Sequence, residues 1–162
     1  MSQPGAVQVA VLSPDGVERR LRMLEGGCLC GAVAYKISGK PIIVAHCYCR
    51  DCQRVSGAGH ITGAMFAVEQ IEIAGRMSEY QSTGDSGSTV SHLFCATCSS
   101  RLFGKNTNMP GVMTVACGTL NDPSALTPQV AIFARSRPHW DAVDPNVQSF
   151  DAQPSWKPSD GT

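Results

Sequence analysis

Seven of the eight cysteines in this 162-residue chain fall into three tight clusters: Cys28-Leu29-Cys30, Cys47-Tyr48-Cys49-Arg50-Asp51-Cys52 and Cys95-Ala96-Thr97-Cys98. Any fold open to the chain must gather thiols from segments far apart in sequence. Closed structural zinc sites take four protein ligands, whereas catalytic ones take three and keep a position for water or substrate. Four plus three accounts for the seven clustered cysteines, so the count suggests two unlike zinc ions, one that holds the fold and one that works. Disulfides are the competing use. Closing a Cys-x-Cys or Cys-x-x-Cys ring locally is strained, and no charged segment precedes an apolar stretch at the N-terminus, which carries Pro4, Asp15 and Glu18. A chain read as cytoplasmic on that ground keeps its thiols reduced.

Spacing restricts the division without completing it. Cys95 and Cys98 have the two-residue spacer of half a structural site, and Cys49 and Cys52 have the same form. The interval from Cys52 to Cys95 is much longer than an ordinary zinc-ribbon spacer. On an extended strand Cys28 and Cys30 would point to one side and approach one ion together. Pairing them with Cys95 and Cys98 leaves Cys47, Cys49 and Cys52, which is the catalytic ligand count.

Short runs rich in Val, Ile, Tyr and Phe alternate with Gly, Pro, Ser and Asp, and no sustained 3.6-residue periodicity appears, so the chain reads as mostly β. Residues 1–24 are expected to form an N-terminal extension with a β-hairpin about Ser13-Pro14-Asp15-Gly16. Residues 25–150 form the zinc-binding domain and 151–162 a tail. A first strand is expected over Gly26 to Ser38, others at Ile42–His46, His60–Val68, Gln70–Ala74, Met77–Gln81, Thr89–Phe94, Arg101–Phe103, Val112–Gly118 and Val130–Ala134, with a helical turn at Arg50–Gly57. Lys plus Arg and Asp plus Glu are both 13, which argues against nucleic-acid partners, and no apolar run approaches the length of a membrane span. Self-association is left open.

The clusters, with Gly26-Gly27 before the first, His46 before the second, Phe94 before the third, and Gly118-Thr119-Leu120 and Arg135-Ser136-Arg137-Pro138-His139-Trp140 beyond, resemble the glutathione-dependent formaldehyde-activating enzyme family. The resemblance runs from about Gly26 to Phe150. It implies an Mss4-like fold, two antiparallel β-sheets packed as a tent around a structural zinc. It assigns Cys28, Cys30, Cys95 and Cys98 to that ion and Cys47, Cys49 and Cys52 to a catalytic zinc. It also implies a carbon–sulfur lyase that joins a glutathione-like thiol to an aldehyde, as in S-hydroxymethylglutathione. Ser99 stands where the family usually has glycine, and Asn121 where aspartate is frequent.

Three thiolates and one Zn²⁺ sum to minus one, so such a metal is a weaker Lewis acid than one held by neutral histidines, and a soft thiol suits it better than water. His60, eight residues past Cys52, is expected to serve the site as a proton shuttle. His46 would face away from Cys47, His92 would be a partly buried strand residue, and Asp51 would orient a ligand or cap its turn. Arg50 and Arg54 could attract a carboxylate-bearing thiol, and Trp140 is expected to anchor the C-terminal segment at the core rim or a dimer contact. Two rival readings are a non-catalytic zinc module and a methionine sulfoxide reductase. The latter would need Cys117, the one unclustered cysteine, as an exposed nucleophile, against its apolar flanks.

Overall fold

The computed structural model describes residues 23–155, so most of the expected N-terminal hairpin and the end of the tail lie outside the described residues. Two sheets form the domain. The smaller runs β1 (Leu24–Gly27), β2 (Ala34–Ile37) and β5 (Ile71–Ala74) in the order β1-β2-β5, all antiparallel. The larger has eight strands, β3 (Ile43–Cys47), β4 (Ile61–Ala67), β6 (Met77–Thr83), β7 (Thr89–Cys95), β8 (Arg101–Asn106), β9 (Val112–Ala116), β10 (Val130–Ile132) and β11 (Gln148–Ser149). Their order is β11-β10-β3-β4-β9-β8-β7-β6. The mostly β, two-sheet architecture is the one expected, with one addition: β10 runs parallel to both β3 and β11, so one edge of the larger sheet is parallel.

The sheets pack through alternating apolar residues. Tyr35, Ile37 and Leu24 of the small sheet meet Val44, Ala64, Phe66, Phe103, Met113 and Val115 of the large one, all buried. The Tyr35 and Phe103 rings meet edge to face at 5.0 Å. Tyr35 also exchanges a hydrogen bond with Thr119 at 2.8 Å, so its polar end is satisfied inside the core.

Register assigns every side chain of the large sheet to one of two faces, because residues opposite each other in antiparallel strands share a face. The row Leu93–Phe103–Val115–Ala64–Val44 points inward to the core. The adjacent row His92–Gly104–Thr114–Met65–Ile43 points outward. Cys47, four residues after Ile43 on β3, belongs to the outer face, and His46 to the inner one.

Two expectations are corrected. The first cysteine cluster is not on a strand: β1 ends at Gly27 and β2 begins at Ala34, and Cys28–Gly31 form the turn between them, with the Gly31 N–H donating to the Cys28 carbonyl at 3.1 Å. Gly31 has φ 77°, which a residue with a side chain rarely adopts. Trp140 does not anchor the C-terminal segment at the core rim, for it is 66% exposed, and Phe133 and Phe150 pack against Ala45, Val130 and Ile132 instead.

Candidate functional site

The sulfurs of Cys28, Cys30, Cys95 and Cys98 lie within 4.8 Å of one another, joining the β1–β2 turn of the small sheet to the end of β7 in the large one. Cys28 and Cys30 sulfurs are 3.5 Å apart, and Cys30 and Cys95 sulfurs 3.8 Å. Sulfurs at the corners of a tetrahedron about a zinc with ordinary Zn–S bonds stand about 3.8 Å apart. All eight cysteines are free thiols, and the donor set fits zinc. Backbone N–H groups point at sulfurs on both sides of the cluster. The Val33 N–H donates to Cys28 Sγ at 3.1 Å and the Thr97 N–H to Cys95 Sγ at 3.4 Å. The Ser100 hydroxyl, 3.2 Å from Cys98 Sγ, helps to hold that thiol down to about 5. Ser99, in the turn after Cys98, has φ 60°, the left-handed conformation that suits the glycine usual there.

The sulfurs of Cys47, Cys49 and Cys52 form the second group, again within 4.8 Å of one another. Cys47 ends β3. Cys49 is the N-cap of α1 (Arg50–Ser56), its sulfur accepting from the Cys52 N–H at 3.3 Å, and Gly57 closes the helix in the left-handed conformation. One strand end and one helical turn therefore converge three sulfurs from six residues. Hydrogen bonds from the Cys47 and Cys52 thiols hold Cys49 down to about 2, the contact with Cys49 pushes Cys47 up to about 12, and contacts with Cys47 and then Cys49 push Cys52 up. In other words, crowding permits one negative sulfur easily and resists three, so all three ionise only with a cation among them.

Sequence reasoning missed Arg101 as part of this surroundings. Between β7 and β8 the pairing jumps from Leu93–Phe103 to Phe94–Arg101, leaving Leu102 as an extra residue on β8. This β-bulge lets Leu102 and Phe103 both bury in the core and turns Arg101 to the outer face beside Gly104. A Cβ at Gly104 would lie 3.2 Å from Arg101 Nη2, so the guanidinium lies over that glycine. Arg101 Nη2 faces His92 Nδ1 at 3.5 Å, and His92 Nε2 lies 3.1 Å from the Ser82 hydroxyl; the arginine, which can only donate, makes Nδ1 the acceptor and Nε2 the protonated nitrogen. Burial lowers the Arg101 pKa, opposed by the charges of Cys52, Cys47 and Cys49, all within electrostatic range. Its Nε is buried without a hydrogen-bond partner among the described residues. Strand periodicity alone would have aimed Arg101 inward with Phe103, so only the bulge reveals its position.

His60 lies elsewhere. Its neighbour Ile61 pairs with Cys47, which places His60 on the inner face with His46, Thr62 and Tyr48. The His60 ring is 4.7 Å from that of His46 and 4.9 Å from that of Tyr48, and its Nδ1 is 2.7 Å from Asp141 Oδ2. A Cβ at Gly59 would come within 1.9 Å of the same carboxylate oxygen, so glycine is what admits Asp141. The strand thus sends His60 away from the face that carries Cys47. His46 donates to or accepts from Thr62 at 2.9 Å, on the face expected. Arg50 bonds Gln53, and Arg54 pairs with Asp51 at 3.8 Å on the surface, so each has its own partner on α1. Cys117 is buried, with its thiol pushed up to about 11 by desolvation, surroundings opposite to the exposed nucleophile that the reductase reading needs.

The family described as "Glutathione-dependent formaldehyde-activating enzyme" has a sequence pattern that matches residues 23–136. A Halomonas elongata protein named "Putative glutathione-dependent formaldehyde-activating enzyme" is 26% identical over 133 residues, covering 78% of this chain and 84% of that protein. A solved Rhodobacter sphaeroides protein shares 22% identity with a TM-score of 0.49, over 64% of this chain and 91% of that one. No helix among the described residues is long and apolar enough to cross a membrane. With the family pattern spanning both cysteine groups, the chain belongs to the glutathione-dependent formaldehyde-activating enzyme family.

Proposed function

We propose that this protein is a zinc-dependent carbon–sulfur lyase that makes or breaks an adduct between a small, glutathione-like thiol and an aldehyde, such as S-hydroxymethylglutathione. One observation carries the reading: the seven clustered cysteines divide in space into a set of four that joins two sheets and a set of three on one strand end and one helical turn. The second set has the ligand count that leaves a zinc able to accept one more group. Cys47, Cys49 and Cys52 would hold that ion, and when bound it supplies a soft position at which a thiol ionises near neutral pH. In the synthetic direction the substrate sulfur attacks the aldehyde carbon, a C–S bond forms as the carbonyl π pair moves to oxygen, and the proton lost by the thiol ends on that oxygen. The reverse breaks the C–S bond and restores thiol and aldehyde. The chain's own part is to fix three sulfurs by β3 and α1 and to set their charge through the Cys52 N–H at Cys49. The free thiols suit a cytoplasmic location.

Metal analysis of purified protein combined with an assay of glutathione and formaldehyde tests the proposal. Two zinc ions per chain are expected, one released to a chelator well before the other, with turnover disappearing alongside the first. One zinc per chain, two equally inert ions, or no turnover in the two-zinc protein would overturn it.

A further inference from the structure

The outer face of the large sheet carries a cation that the reaction scheme above does not use. Arg101 reaches that face only because Leu102 is an extra residue in β8. Its surroundings are unusual for an arginine: among the described residues no carboxylate pairs with it, its Nε is buried without a partner, and its Nη2 donates toward the ring nitrogen of His92. A desolvated guanidinium is costly unless an anion accompanies it. The sulfurs of Cys52, Cys47 and Cys49, on the same outer face, are close enough for their negative charge to favour the charged guanidinium. Those sulfurs will themselves be occupied by a metal, which leaves the fork of donors with unused capacity.

Electrostatic need points the same way. A zinc held by three thiolates carries a net charge of minus one and polarises oxygen weakly. Addition of a thiolate to an aldehyde places negative charge on the carbonyl oxygen, and a glutathione-like thiol brings carboxylates of its own. Both would be repelled by the metal centre alone. Arg50 and Arg54, which the sequence offered for this task, are engaged with Gln53 and Asp51 on the helix.

We infer that Arg101, held by His92 and re-aimed by the β8 bulge, is the oxyanion-binding residue of this site, taking a negatively charged oxygen of the thiol–aldehyde adduct. The inference rests on the lyase reading. Two sources supply such an oxygen, the alkoxide on the aldehyde-derived carbon and a carboxylate of the thiol, and they differ in what they predict. His92 is a positioning residue: its Nδ1 accepts from Nη2 and leaves Nε for the ligand.

The test compares Arg101→Gln and Arg101→Lys with wild type, using formaldehyde with glutathione and with 2-mercaptoethanol, which has no carboxylate. Lys105→Gln, an exposed charge on the same strand, serves as the control and should leave turnover unaltered. For the alkoxide source Arg101→Gln should lower kcat by about 100-fold with both thiols, the loss typical of a missing oxyanion donor. For the carboxylate source it should raise KM for glutathione alone. Lysine restores charge without the fork and should recover only part of either loss. A second readout is independent of turnover: in Arg101→Gln the zinc of Cys47, Cys49 and Cys52 should pass to a chelator several-fold faster, with the four-cysteine zinc unchanged and Arg101→Lys restoring the slow rate. Turnover in Arg101→Gln within about three-fold of wild type with both thiols, in protein that retains two zinc ions and its melting temperature, would overturn the inference. If wild type turns over neither thiol, the lyase reading fails, and unchanged chelation in Arg101→Gln would then overturn the charge role of Arg101 as well.

Discussion

The two cysteine groups use the same ligand chemistry on opposite kinds of scaffold. Cys28 and Cys30 come from the small sheet and Cys95 and Cys98 from the large one, so an ion among them spans the core. Cys47, Cys49 and Cys52 come from one strand end and the turn of helix after it, and an ion there ties together six residues that are already neighbours. Loop-closure entropy separates the cases: uniting distant segments constrains the unfolded chain far more than uniting adjacent ones. On the proposed reading, the fourth ligand stands where it would stabilise the fold and is withheld where chemistry would need space.

The largest way to break this contrast is Cys95→Ser. Cys95 is fully buried, and losing its ion should remove much of the folding free energy, which for small zinc domains reaches on the order of 10 kcal/mol. We expect no cooperative thermal transition; a melt like that of wild type would mean the ion is not structural. Cys49→Ser should do the opposite, keeping the melting temperature within a few degrees while thiol–aldehyde turnover falls by at least about 100-fold. Normal turnover in that variant would dissolve the distinction between the groups.

His60→Phe sharpens the contrast on the inner face. It keeps an aromatic ring against His46 and Tyr48 but leaves the Asp141 carboxylate without its 2.7 Å partner, so a loss of about 1–3 kcal/mol in denaturant unfolding is expected with kcat unchanged. A drop in kcat at constant stability would return His60 to the reaction. His92 gives a smaller, pH-dependent effect. Burial and the Arg101 charge lower its pKa, against the opposing charges of Asp51 and Cys49. The unfolded chain therefore binds a proton that the folded one resists, and this contribution is present above the ordinary histidine value near 6.5 and lost as pH falls below it. Melting temperature should decline between about pH 7 and pH 5, and His92→Gln should make that decline shallower. An unaltered slope would show that His92 does not contribute. Smallest is Ser99→Gly, which relieves a left-handed backbone and should raise the urea midpoint by an amount worth about 1 kcal/mol, with no change in slope.

Much of this was legible in the sequence because it depends on local pattern. Strand positions follow from short apolar runs between turn residues, and both cysteine groups follow from ligand count together with the family pattern. The first cluster reads as strand because alternation aims Cys28 and Cys30 to one side and Val33 to Ile37 is β-forming, and only pairing shows that Cys28–Gly31 reverse the chain. The parallel edge escaped because a three-residue strand such as β10 carries no direction in its composition. The placements of His60 and Arg101 depend on pairing. His60 is close to Cys52 in sequence but lies on the face opposite Cys47, whereas Arg101 is distant in sequence and is turned to the outer face by a register irregularity that residue types do not announce.

That irregularity makes the direction of Arg101 a property of strand register. With Leu102 counted, Arg101 stands three residues from Gly104 yet shares its side of the sheet. Pair β8 regularly through Leu102 and alternation would deliver the guanidinium to the apolar interior, although every residue type would still be present. An extra residue in a strand can act as an address, specifying on which face a side chain arrives without altering what it is.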